Sequence, residues 1–98
     1  MPGDLEALRS TVALACQPTY VPKILQGRNA VLDMDRDFVL ANVENAAREC
    51  LNLDDYWEYR RLLELCALLE EQLARRVARW GIDHNDPDVR EAAGDFSE

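Results

Sequence analysis

Apolar residues recur along this chain at steps of three and four, the spacing that puts side chains on one face of an α-helix. The plainest run is Tyr59, Leu62, Cys66, Leu69, Leu73, Val77 and Trp80, which lies close to a heptad seam. Leu63, Leu65 and Leu68 add a second flank, so a helix over 55–80 needs cover on two sides. That breadth fits the central helix of a bundle better than the narrow stripe of a coiled coil. The adjacent acids Glu70 and Glu71 resemble the first turn of a new helix and leave a break near 70 open.

Other stripes surround this one. Leu5, Leu8, Val12 and Ala15 mark a helix over 4–16, opened by Pro2, Gly3 and Asp4. Over 36–51, Val39, Val43, Ala46 and Cys50 line one face, widened by Leu40, Ala47 and Leu51, while Asn42, Asn45, Arg48 and Glu49 face away. Asp33 or Asp35 caps that helix, and Asn52, Asp54 or Asp55 caps the next. Asp86 followed by Pro87 starts a short helix over 87–96, weakened by Gly94 and anchored by Phe96, beyond which Ser97 and Glu98 fray.

Between the stripes lie the breaks. Pro18 and Pro22 lack a donor N–H and push their predecessors toward extended geometry. A single helical turn over 22–26 follows, with Gly27 placed to stop it, and 27–35 reads as a loop in which only 30–32 has any extended character. Gly81 caps the end of the long helix, and 82–86 make the turn. No run of alternating β-branched residues is long enough for a strand. The expected fold is therefore all-α: a bundle of about four helices in one domain over 1–98, with 55–80 central and 4–16, 36–51 and 87–96 around it.

Composition narrows the setting. A chain of 98 residues buries about 60–65% of its unfolded surface, enough for one core. With 48% hydrophobic and 31% charged residues it belongs with folded domains. No apolar run approaches a membrane span, and Asp4 and Glu6 stand where an export signal carries bases, so a cytoplasmic location without a membrane partner is expected. Cys16, Cys50 and Cys66 are odd in number and lack a C-x-x-C pair, which points to reduced thiols. The formal charge of −8 opposes nucleic acid and favours a basic protein as partner. It is concentrated at the end, where six acids stand against one base over 83–98.

Candidate chemistry is sparse. Any catalytic arrangement that needs histidine must use His84, the only one, in the acidic turn IDHNDPD. That turn lacks the central glycine and terminal glutamate of a calcium loop, so a solvated turn with a helix cap is the expectation. Cys50 and Cys66 fall on apolar stripes and read as small hydrophobes. The carboxylate pairs Asp54/Asp55 and Glu70/Glu71 suit helix first turns. Arg60, Arg61, Arg75, Arg76 and Arg79 are interleaved with acids, Arg60 with Glu64, Glu58 with Arg61 and Glu71 with Arg75. Such pairs are worth about 0.2–0.5 kcal/mol each and describe a solvated face rather than a phosphate site. No glycine-rich phosphate loop is present, and no metal or cofactor is expected.

Over residues 86–96, Asp86, Pro87, Val89, Arg90, Ala92, Ala93 and Phe96 follow the order that opens a helix in HEAT-like repeats, which this segment resembles. The likeness covers about a tenth of the chain, and no second copy recurs at a period of about 30–47 residues, as stacked repeats require. The resemblance implies an antiparallel helical module that presents a surface to another protein, and it carries over no catalytic residue.

The expectation is a non-enzymatic protein–protein interaction module with an acidic surface, one concrete form being an inhibitor or immunity-type protein that neutralises a basic partner. Partner-binding residues are expected at Asp54, Asp55, Tyr56 and Trp57, because both rings cannot share Tyr59's side of the helix and exposed aromatics favour binding hot spots. Two alternatives stand beside it. One is a self-associating helical protein that forms a symmetric dimer through surplus apolar surface on the long helix. The other is a small metal protein or enzyme centred on His84.

Overall fold

A computed structural model describes residues 2–97; Glu98, expected to fray, lies outside them. Among the described residues the regular structure is helical throughout: α1 (Pro2–Ala15), α2 (Val21–Asp33), α3 (Arg36–Cys50), α4 (Tyr56–Leu69), α5 (Glu71–Ala78), a 3-10 turn (Arg79–Gly81) and α6 (Pro87–Asp95). The all-α expectation holds, with six helices in place of about four. The difference has two sources, the break at 70 and a helix where a loop was expected.

The break falls at Glu70, whose backbone is extended at φ −166° and ψ 134°. Its N–H donates to Cys66 O to close α4, and its carbonyl accepts from Ala74 N–H to open α5. One residue thereby bends the long apolar run while Leu69 and Leu73 both stay buried. Glu71 then sits in the first turn of α5, where a negative charge suits the helix dipole.

The unexpected helix is α2. Pro22 occupies its first turn, where a missing N–H would have had no helical partner anyway. Tyr20 supplies the carbonyl that accepts from the N–H groups of Lys23 and Ile24. Gly27 does not stop this helix; it lies in mid-helix, pressed on α1. A Cβ added there would stand 2.3 Å from Ala15 N, 2.7 Å from Ala15 Cα and 2.8 Å from Leu14 C. The glycine is required by a close approach of two backbones, and the helix runs on through 30–32, which has no extended character.

The remaining boundaries follow local chemistry. Asp35 caps α3 by accepting from Phe38 N–H at 3.0 Å, Asp55 caps α4 by accepting from Glu58 N–H at 3.0 Å, and Asp86 caps α6 by accepting from Asp88 N–H at 2.8 Å. Helix α1 begins at Pro2, which places Asp4 inside its first turn rather than at its cap. Gly81 is no left-handed cap, since no described glycine has positive φ. It makes room for Tyr59, whose ring Cε2 would lie 2.7 Å from an added Cβ. The Ser97 hydroxyl donates to Gly94 O at 3.0 Å just beyond the end of α6.

Helix α1 packs against α2 and α3, α4 packs against α5 and α6, and α1 meets α4, so two three-helix halves share one core. The core draws Leu8, Val12 and Ala15 from α1, Val39 and Val43 from α3, and Tyr59, Leu62, Leu63, Leu65 and Cys66 from α4. Leu73 and Val77 of α5 and Val89, Ala92 and Ala93 of α6 complete it. The radius of gyration, 12.4 Å, is that of a packed unit of this length, about 13 Å by chain scaling. Truncating a fully buried leucine such as Leu62 to Ala would cost about 2–5 kcal/mol. No helix of the described residues is long and apolar enough to cross a membrane.

Candidate functional site

The four residues singled out from the sequence separate into different roles. Asp55 is committed to capping α4, and Glu58 reaches back to Asn52 N–H at 3.3 Å, a capping arrangement that closes the α3–α4 connection. Tyr56 is half-buried and packs on the core. Its ring meets Trp57 edge to face, with centroids 5.0 Å apart and planes at 78°. Trp57 alone presents a large apolar surface, 45% exposed, with the Arg61 guanidinium 5.2 Å from its ring centroid. Asp54 turns outward to His84.

His84 is held from both sides. Its Nε2 lies 2.7 Å from Asp54 Oδ1, and its Nδ1 accepts from Asp86 N–H at 2.9 Å. This pattern puts the proton of the neutral ring on Nε2, directed at the carboxylate. The imidazole therefore ties the α3–α4 connection to the turn before α6. Neither nitrogen is left pointing at a nucleophile or an open position. Among the described residues, no group of three or more His, Cys, Asp or Glu side chains has the spacing to hold a metal ion.

Burial disfavours the thiolate form at all three cysteines. Burial pushes the Cys66 thiol up to about 12 and drives that of Cys16 far above the ordinary range. Cys50 is half-buried; desolvation raises its pKa as well, and its Sγ lies 3.6 Å from Arg9 O.

The arginines are largely paired. Arg60–Glu64 and Arg75–Glu71 form as their spacing predicts, at 3.7 and 2.7 Å. Arg61 chooses Glu64, at 3.0 Å, over Glu58, which the α4 cap retains. Other pairs cross between helices: Arg76–Glu44 at 2.8 Å, Arg60–Asp95 at 2.9 Å and Arg9–Glu49 at 2.5 Å. Hydrogen bonds to those carboxylates raise the pKa of Arg76 and Arg60. Gln72, Arg75, Arg76 and Arg79 border an open depression of about 300 Å³ on the outer face of α5.

The strongest surface feature was not visible among the sequence candidates. Val21, Leu25, Arg28 and Leu32 of α2 follow one another at steps of four, three and four, and so do Trp57, Arg61, Glu64 and Leu68 of α4. At 3.6 residues per turn each set spans an arc of about 60°. Arg28 and Glu64, in the middle of the two arcs, form an ion pair, and Arg61 bonds both Glu64 and Pro18 O, so long side chains bridge the two outer faces. Val21, Leu25, Leu32, Trp57 and Leu68 are each about half exposed, at 45–55%. Leu68, expected on a covered flank, is thus open to solvent. No protein-family model, no curated protein and no solved structure matches this chain, so its role has to be read from this geometry.

Proposed function

We propose that this chain is a non-enzymatic protein–protein interaction module that docks its partner on the joined outer faces of α2 and α4. The observation that carries the reading is where apolar surface is exposed. Seven large apolar side chains stand exposed among the described residues, and five of them, Val21, Leu25, Leu32, Trp57 and Leu68, fall on these two arcs. Single exposed leucines are ordinary, whereas apolar side chains gathered on one face mark contact sites. Trp57 and Arg61 add the residue types that favour hot spots. The acids at 83, 88 and 91, exposed and without an ion pair among the described residues, add a field that speeds encounter with a basic partner. An inhibitor or immunity-type protein is one form of such a module, covering a partner's working surface in a cytoplasmic setting.

A photo-crosslinking side chain placed at 25 or 57 tests this, with position 41 on the exposed side of α3 as control. Expressed in its own cell, the protein should yield discrete crosslinked species from 25 and 57 and none from 41. Equal yields from all three positions would count against the reading. Sedimentation at micromolar concentration tests the competing proposal, a symmetric dimer, since a strict monomer removes it.

A further inference from the structure

We infer that the occupant of the α2–α4 face is a single amphipathic helix of another protein, with an apolar stripe and a carboxylate at its centre; this rests on the reading above. The size of the face comes first. Each arc runs from Val21 to Leu32 or from Trp57 to Leu68, about 17 Å of helix, and a helix with side chains is about 10 Å wide. The two arcs together cover a footprint of about 350 Å². One helix of about twelve residues matches the face in length.

Charge comes second. At the centre of the face two guanidiniums, Arg28 and Arg61, share one carboxylate, that of Glu64, and these side chains are only 19–25% exposed. Arg60 also approaches Glu64 but is committed to Asp95 at 2.9 Å. Arg28 has five N–H donors and uses one, on Glu64; its Nε, like that of Arg61, is buried out of reach of a ligand, so the donors left free are those at the guanidinium tip. The face therefore carries a local positive excess with unused donors, although the chain as a whole carries −8. An incoming carboxylate meets this excess in a half-desolvated setting where the attraction is strengthened. A two-fold dimer would instead set Arg28 and Arg61 against themselves.

The test uses two synthetic helical peptides with leucines at steps of four and seven, identical except for a central Glu or a central Lys. Binding to isotope-labelled protein is followed by amide chemical shifts. The Glu peptide should bind about tenfold tighter than the Lys peptide, with shifts confined to α2 and α4. The preference should vanish in Arg61→Gln, and binding of both should vanish in Leu25→Glu, a surface change whose folding is checked by circular dichroism. Equal binding, or a preference for Lys, would overturn the acidic occupant. A dimer in sedimentation that Leu25→Glu dissolves would overturn it in favour of a second copy. No peptide binding while crosslinks at 25 and 57 persist would overturn the helix and leave the interaction face standing. Failure of both peptides and crosslinks would bring down the underlying reading as well.

Discussion

Replacing Gly27 by Ala sets two physical effects against each other, and the geometry decides which prevails. In an isolated helix the change stabilises by about 0.8–1.0 kcal/mol, because glycine loses more backbone freedom on folding. In this protein the new methyl would lie 2.3, 2.7 and 2.8 Å from backbone atoms of Ala15 and Leu14, where ordinary contact is about 3.5–4.0 Å. No side chain can swing aside, so α1 and α2 must move apart by about 1 Å, loosening the packing around Val12, Ala15, Ile24 and Val31. Overpacking of this kind costs about 1–3 kcal/mol. A backbone-on-backbone clash belongs at or above the upper end, which leaves a net loss of about 2 kcal/mol, or about 8–16 °C in Tm. Gly94 is the internal control: nothing lies within 4 Å of an added Cβ, so Gly94→Ala should stabilise by up to about 1 kcal/mol. Urea unfolding followed by far-ultraviolet circular dichroism, with the m-value checked for constancy, measures both. If Gly27→Ala matched or exceeded the parent in stability, the close approach of α1 and α2 would be wrong.

Three other outcomes are expected. The Tyr59 phenol, whose pKa burial raises from 10.0 to about 12, favours the folded state only while neutral. Its contribution is therefore complete below pH 10 and drains away as pH climbs toward about 12; ultraviolet titration should show one of the three phenols ionising together with unfolding, and early, reversible ionisation of all three in the folded protein would contradict this. At about pH 8 a chromogenic disulfide reagent should modify at most Cys50 within minutes, and all three thiols after denaturation, because Cys16 and Cys66 are both buried and held protonated. His84→Ala removes both hydrogen bonds that join Asp54 to the Asp86 backbone and should cost about 1–2 kcal/mol in thermal or urea melts; an unchanged midpoint would mean the imidazole holds nothing together.

The proposed docking face also separates local from net charge. The chain total of −8 points toward basic partners, and the acids responsible are gathered over 83–98. The exposed apolar residues of α2 and α4 lie elsewhere, around Arg28 and Arg61. Overall charge governs how partners approach, while the few half-buried groups at the contact govern which segment stays.

Periodicity alone was sufficient for the all-α class and for the inward faces of α1, α3, α4 and α5, because burying one apolar stripe is a local property of spacing. The caps were partly legible: Asp86 stands alone before Pro87, while Asp55 is one of three candidates with Asn52 and Asp54, and each carries the oxygen that satisfies an orphan N–H. What sequence could not supply was anything that depends on two distant segments meeting. Gly27 read as a stop because a glycine needed for a turn and one needed for close backbone contact are the same letter; only the position of Ala15 distinguishes them. That ambiguity cuts α2 to a single turn over 22–26 and hides the second apolar arc and the partner of Glu64. Leu68 looked like core because apolar identity does not say which side of a helix its neighbours will cover. The tie of Asp54 to His84, 30 positions away, left no mark in the sequence because it exists only once the chain has folded.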